Sequence, residues 1–386
     1  MLGFVSKVFK YKYLSKQDLK GFSKYKYSAI DTSPLSQYLM HPSWNTAVKF
    51  IPDSIAPNLI TFVGFLFMVA DVAVLTWLDY DGTGSNVPGW VFTMCGTLLF
   101  LAYNLDGIDG KQARKIGVSG PLGEMFDHGL DSYVVFFIPY CLASIFGRDE
   151  FSLPPLRGFL VIMSITLNFY VSHCEKYNTG TLYLPWGYDL SMWVSSILFV
   201  IAGECGTDAF KFYVIGDVTF IQVFEVVIHA TGFLTTLPIA VYNVYLSYKA
   251  RTGKLYPLLE ALRPAWSMLM LIVAMTTWAV WSPNNVLEYD MKAFLLLYGT
   301  LFSHISSRLI VCEMNGQRCS VFCPVAWPLL VGVAISLYHP QLELSVLYSL
   351  LGASLLAHVH YGVCIVRQLC EHSNVSCFTV PKAKTK

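Results

Sequence analysis

Charge is what this 386-residue sequence has least of: Asp, Glu, Lys and Arg make up 13% of it against 55% apolar residues, and the mean hydropathy is +0.52. Soluble domains carry about 25% charged residues, so a purely water-soluble architecture is excluded. There is no excess of one sign either. Lys and Arg number 26 against 25 Asp and Glu, for a formal net charge of +1, which leaves no basic field for nucleic acid. Zinc-type cysteine spacing is missing. The ten cysteines run from Cys95 to Cys377, and the closest pair, Cys319 and Cys323, has no second pair or histidine to complete a site, so they read as reduced packing residues. Repeats and low-complexity segments are absent. The Lys-rich start, MLGFVSKVFKYKYLSKQDLK, lacks an apolar core of signal-peptide length, and the first span is expected to direct insertion.

What is present is a series of long apolar runs. A bilayer core needs roughly 20 apolar residues per helix, and ten candidates are centred near Phe65, Thr97, Phe137, Ile165, Leu198, Phe233, Leu271, Leu301, Val331 and Leu355. The expectation is an all-α, polytopic membrane protein of about ten transmembrane helices. Charge tests the count. With ten spans and a cytosolic N-terminus, Arg148, Arg157, Lys211 and Lys292 alone among the Lys and Arg residues fall on the far side, as the positive-inside rule requires. Both termini are then expected in the cytosol. Residues 28–52 are too polar to span. They are read either as an interfacial amphipathic helix, with Trp44 and Lys49 at the headgroups, or as an ordered cytosolic cap.

Polarity concentrates where the second run ends, at NLDGIDGKQAR (104–114), followed by KIGVSGPLGEMFDHGLDS (115–132). Asp106 and Asp109 are three apart and Asp127 and Asp131 four apart, so each pair lies on one helix face. Gly117, Gly120 and Pro121 supply a turn that lets the two helix ends face each other. Four converging carboxylates repel unless cations neutralise them, and oxygen-only ligands suit hard ions. Two divalent cations, Mg2+ or Mn2+, are expected there. Gly107 and Gly110 leave the backbone bare, Ala113 keeps the same face low, and Arg114 offers a planar fork for phosphate. The set describes a pyrophosphate cradle. Glu124 and His128 are four apart on the third helix, so the carboxylate can hold one imidazole nitrogen while the other acts as a general base.

The pattern D106-G-I-D109-G110-K-Q-A113-R114, eight residues, then G123-E-M-F-D127-H-G-L-D131 resembles the DxxDGxxARx8GxxxDxxxD signature of the CDP-alcohol phosphotransferase family. The flanks GFSKYKYSAIDTSPLSQYLMHPSWN, APNLITFVGF, HCEKYNTGTLYLPWGYD and AHVHYGV are similar to its eukaryotic choline/ethanolaminephosphotransferase branch, nearest the ethanolamine-using members. The resemblance implies the family's fold, and attack of a diacylglycerol (or alkyl-acylglycerol) hydroxyl on CDP-ethanolamine to give phosphatidylethanolamine and CMP. It implies Asp106, Asp109, Asp127 and Asp131 as metal ligands, Asn58 and Arg114 beside the diphosphate, and a homodimer. It divides the chain into a cytosolic N-terminal segment (1–52), a transmembrane catalytic domain (53–368) and a cytosolic tail (369–386). Choline in place of ethanolamine, or use of both, is the alternative substrate. The rival class is an ion-coupled transporter, which would bind at the midplane on broken, repeat-related helices. No such repeat is seen, and the acids lie at helix ends.

Four weaker signals complete the reading. Glu225 and His229 repeat the four-residue spacing in the sixth span and read as a packed polar pair or a lateral-gate element, in preference to a second site. Asp71 reads as an internal hydrogen-bonding group, and His358 and His360 as packing residues that point apart. Glu175, Lys176 and Tyr177 are placed beside the Asp cluster, in a segment that either closes over the substrate or is an ordered interfacial loop. Lys382 and Lys384 resemble a retrieval signal of endoplasmic reticulum and Golgi membranes, and Asn374-Val375-Ser376 is a glycosylation sequon that a cytosolic tail would keep unmodified.

Overall fold

The computed structural model describes residues 8–184 and 186–380; Lys382 and Lys384 lie outside them. Among the described residues nine helices are long and apolar enough to cross a bilayer. They are span 1 (Pro57–Leu78), span 2 (Gly89–Lys115), span 3 (Pro121–Phe146), span 4 (Pro155–Thr179), span 5 (Gly187–Cys205), span 6 (Phe220–Lys249), span 7 (Arg263–Trp281), span 8 (Met291–Asn315) and span 10 (Pro340–Ser373).

The helix between the last two, span 9 (Ala326–Tyr338), has only 13 residues and rises about 20 Å, less than the roughly 30 Å hydrocarbon core. It still joins the two faces its neighbours join. The loop before it meets the first turn of span 7, where the Ser267 hydroxyl donates to the Val321 carbonyl at 3.1 Å. The turn after it meets the far end of that span, where the Asn284 amide donates to the Pro340 carbonyl at 2.7 Å. Among the described residues that makes nine full-length spans and one short apolar helix, short because Pro324 and the non-helical residues before it delay the helix start.

Span starts follow proline chemistry. Pro57, Pro121, Pro155 and Pro264 each sit in the first helical turn, where a missing N–H is harmless. Span 8 is the hub: it is buried along most of its length and packs against spans 3, 4, 7 and 10. Spans 2 and 5 approach closely because glycines line the seam. A methyl group at Gly96 would lie 2.8 Å from the Ser196 carbonyl, and one at Gly89 would collide with the backbone of Gly203. In lipid, where hydrophobic burial does not drive helices together, such backbone contact does. It brings the start of span 5 beside the end of span 2.

All these elements gather one set of helix ends: the starts of spans 1, 3, 5 and 7 and the ends of spans 2, 4, 8 and 10. The N-terminal segment packs across this same face. Its helix Lys16–Lys24 is closed by a Ser15/Asp18 capping box, its strand β1 (Ala29–Asp31) pairs in parallel with β2 (Leu182–Leu184), and Tyr13 bonds to His360 and Gln368 of span 10. Residues 36–50 form a π turn, a short helix and a 3-10 turn. Here one expectation is corrected. Trp44 is buried, 5% exposed, whereas Tyr38 and Phe50, at 83% each, form the exposed aromatic face. The indole is needed below, against span 2, and so does not face headgroups.

Candidate functional site

Span 2 ends at Lys115, Gly117 turns the chain at a φ of +72°, and Gly120 in extended backbone precedes Pro121 at the first turn of span 3. A side chain in that left-handed conformation is strained, so glycine is required at 117. The tight reversal sets the two acidic faces against each other. Asp106, Asp109 and Asp127 each offer a carboxylate oxygen, all within 4.8 Å of one another. Asp131, one turn deeper, lines a small cavity with Asp106, Thr61 and Tyr188. Span 1 holds the cluster through Thr61, whose hydroxyl donates to Asp109. Span 5 holds it through Tyr188, which donates to Asp106 at 2.9 Å. The buried Oδ1 of Asp127 has no partner among the described residues.

The physics of this arrangement asks for a cation. At that 4.8 Å limit, a pair of carboxylates repels by roughly 3 kcal/mol at an effective dielectric of about 20. Thr61 and Tyr188 compensate only part of that. An all-oxygen set with one unpartnered oxygen suits a hard divalent ion.

The expected bond between Glu124 and His128 does not form. Glu124 Oε1 instead accepts from the Tyr25 hydroxyl at 2.5 Å and from the Lys176 ammonium at 2.6 Å. The same ammonium is 3.0 Å from Glu313, and Glu313 accepts from His173 Nδ1 at 3.1 Å. The reason is charge balance. Lys176 is only 2% exposed, and a buried ammonium draws in every carboxylate within reach. Tyr25 stays a donor at neutral pH, since burial pushes its hydroxyl far above the ordinary phenol range. His128 is thus left with a buried Nδ1 that has no partner among the described residues. Its Nε2 is 4.0 Å from Asp127, and its ring packs edge-on against His173 at 5.5 Å.

Gly107 does not border open space. A methyl there would collide with the Trp44 indole, whose N–H donates to Asn104 at 3.1 Å. Its smallness seats the N-terminal segment, and a substrate has no room against it. Gly110 does remain open: a methyl there would meet only the Arg114 guanidinium, at 3.5 Å. Ala113 is half-buried and Arg114 exposed. Asn58 is buried, its amide donates to Cys377 at 3.5 Å, and its oxygen would be 3.4 Å from a methyl at Gly123. The residues between the motif positions tie down the segment before span 1. Gln112 donates to the Pro52 and Ile55 carbonyls, Lys111 to Asn45, and Lys115 pairs with Asp53.

Sequence reasoning missed Thr61, Tyr188, Tyr25, His173 and Glu313, because single hydroxyls and lone ionisable residues on distant spans carry no spacing signal. Lys176 it placed nearby without a role. Glu225 is paired with Arg157, Nε to Oε1 at 3.0 Å, in place of His229. Glu175 accepts from Asn243 and Tyr177 from the Cys319 N–H, so that segment is an ordered framework. Asp71 is buried, with the Cys95 thiol of span 2 beside it. His360 bonds to Tyr13 while His358 turns to Tyr133; they do point apart.

Comparison with known proteins adds three findings. The profile of the family described as CDP-alcohol phosphatidyltransferase matches residues 54–184, which include both acidic pairs. The chain is 41% identical over 380 residues to the Ethanolaminephosphotransferase 1 of Mus musculus and 41% over 379 residues to that of Homo sapiens, covering 96% of each chain in both cases. It is 28% identical to Choline/ethanolaminephosphotransferase 1 of Arabidopsis thaliana over 96% of this chain and 99% of that one.

Proposed function

The chain belongs to the CDP-alcohol phosphatidyltransferase family, and from that premise we propose that it transfers phosphoethanolamine from CDP-ethanolamine to the hydroxyl of diacylglycerol, giving phosphatidylethanolamine and CMP. The reading is supported by its likeness to two mammalian proteins named for ethanolaminephosphotransferase. The observation that carries it is the group of three aspartates from two helix ends, one of which keeps a buried oxygen without a partner among the described residues.

Asp106, Asp109, Asp127 and Asp131 would hold two divalent cations, Mg2+ or Mn2+, which when bound supply charge neutralisation along the diphosphate and on the departing CMP. Arg114, exposed and next to the bare backbone of Gly110, offers two parallel N–H donors to a phosphate, and Asn58 offers an amide. His128 accepts the alcohol proton; the alcohol oxygen bonds to the ethanolamine-bearing phosphorus as the bond from that phosphorus to CMP breaks. Glu124 acts at a distance, fixed by Tyr25 and Lys176.

The lysine and arginine asymmetry supports a cytosolic site and cytosolic termini. Lys382 and Lys384 support residence in endoplasmic reticulum or Golgi membranes, and the family resemblance supports a homodimer. The test is purified protein with diacylglycerol, Mn2+ or Mg2+, and either CDP-ethanolamine or CDP-choline, with phospholipid and CMP both quantified. Equal amounts of phosphatidylethanolamine and CMP are expected. Product from choline alone would overturn the headgroup assignment, and no product from either donor would return the transporter reading.

A further inference from the structure

Between spans 3, 8 and 10 lies a polar patch that the site above does not use. His304 is 95% buried, and its Nδ1 has no partner among the described residues; the Nδ1 of His358 is likewise buried and without one. The two rings are 5.7 Å apart, and both meet tyrosines: His304 lies 5.1 Å from Tyr361 and His358 4.9 Å from Tyr133. One turn from His304, the guanidinium of Arg308 stands over the Tyr361 ring at 5.4 Å. Within a bilayer every unsatisfied donor is costly, and an ionisable residue there marks a ligand site before it marks packing. Packing alone would favour leucine at these positions.

Space adjoins the patch. A methyl at Gly129 of span 3 or at Gly362 of span 10 would meet no atom of a neighbouring element within 4 Å, and both glycines are only half-buried. Gly129 directly follows His128. Ser132, next along, bonds Ser303 at 2.5 Å, which fixes His304 at the depth of Asp131. Tyr133, carrying His358 on its ring, lies about 7 Å deeper along the helix than His128, a separation of the order of a glycerol backbone. Toward the site, Phe62 of span 1 and Phe126 of span 3 both pack on Phe378, at 5.5 and 5.6 Å.

Imidazole N–H groups and a guanidinium are donors, whereas ester carbonyls are acceptors only. Resting on the proposed function, we propose that His304, His358 and Arg308 form the subsite that receives the ester carbonyls of the acceptor glycerolipid, holding its free hydroxyl toward His128. The subsite distinguishes a diester from an ether of the same shape, because an ether leaves the donors unpaired.

The test measures kcat/KM of the full-length protein, with CDP-ethanolamine saturating, for diacylglycerol and for the matched dialkylglycerol that lacks both carbonyls. The native chain is expected to favour the diester by at least tenfold, the worth of one or two buried hydrogen bonds. In His304→Phe/His358→Phe that ratio falls toward one through the KM for the lipid, while the KM for CDP-ethanolamine stays within twofold. His358→Gln, which keeps an N–H, retains the preference, and Arg308→Gln, which removes the charge and the guanidinium fork but keeps an amide donor, lowers it in part. A ratio near one in the native chain, or an unchanged ratio in both the double variant and Arg308→Gln, overturns the subsite. An inactive native chain overturns the proposed function instead.

Discussion

Replacing Lys176 with Met removes the ammonium that bridges Glu124 and Glu313, and the structure gives the size of the effect. The ammonium sits 2.6 Å from one carboxylate and 3.0 Å from the other; at an effective dielectric of about 20 each contact is worth roughly 6 kcal/mol gross. Desolvation of three ions offsets much of that, and breaking a buried pair by removing one partner costs about 3–5 kcal/mol net. For a chain of 386 residues the loss lowers the melting temperature by roughly 4–6 °C. The assay is intrinsic-fluorescence unfolding of the detergent-purified protein. Removing one of the stranded charges as well, in Lys176→Met/Glu313→Gln, should recover at least half of the loss, because Glu124 keeps its Tyr25 donor. A single variant that melts within 1 °C of the native chain, or a double variant no better than the single, would refute the charge-balance account of why Glu124 turns from His128.

Three further outcomes follow from the site. Asp127→Ala should lower turnover by at least 10³ yet raise the melting temperature in EDTA, since removing one member of a repelling trio relieves roughly 3 kcal/mol per pair; added Mn2+ should stabilise the native chain and leave this variant unmoved, and equal stabilisation of both would argue against Asp127 as a ligand. His128→Ala should lose about 10²–10⁴ in turnover at saturating Mn2+, and near-native activity would eliminate it as the base. Gly107→Ala should destabilise by about 1–3 kcal/mol through overpacking against Trp44, and Trp44→Leu in the same chain should return part of the stability; if Gly107→Ala instead melts normally and only raises the KM for CDP-ethanolamine, the glycine serves the substrate and not the indole.

Much of the site was legible because it is local. Asp106 with Asp109 and Asp127 with Asp131 sit at helical spacing on either side of a turn marked by Gly117, Gly120 and Pro121, and local geometry is enough to face two such helix ends. The same holds for the spans, whose apolar length is set by the bilayer, with span 9 the exception: Pro324 shortened the helix without shortening the apolar run. His358 and His360 could be sent to opposite faces from their separation alone. Spacing misled where a nearer partner on the same helix lost to a distant one. Glu124 and His128 are four residues apart, yet Lys176, more than fifty residues away, holds the carboxylate. Glu225 turns to Arg157 and not to His229 for a related reason: the guanidinium offers a donor to each carboxylate oxygen, which a single imidazole nitrogen cannot.

The sequence by itself determined an all-helical chain in a membrane and the helix ends at which its acids collect, since apolar length, charge placement and helical period are properties of neighbouring residues. Only the tertiary structure decided what Gly107 is small for, which carboxylates balance Lys176, and that His304, Arg308 and His358 share one polar patch. Those outcomes depend on which distant helices touch, and packing between spans is governed by shape and by the need to satisfy every buried charge, neither of which is written in the spacing of residues along one strand of chain.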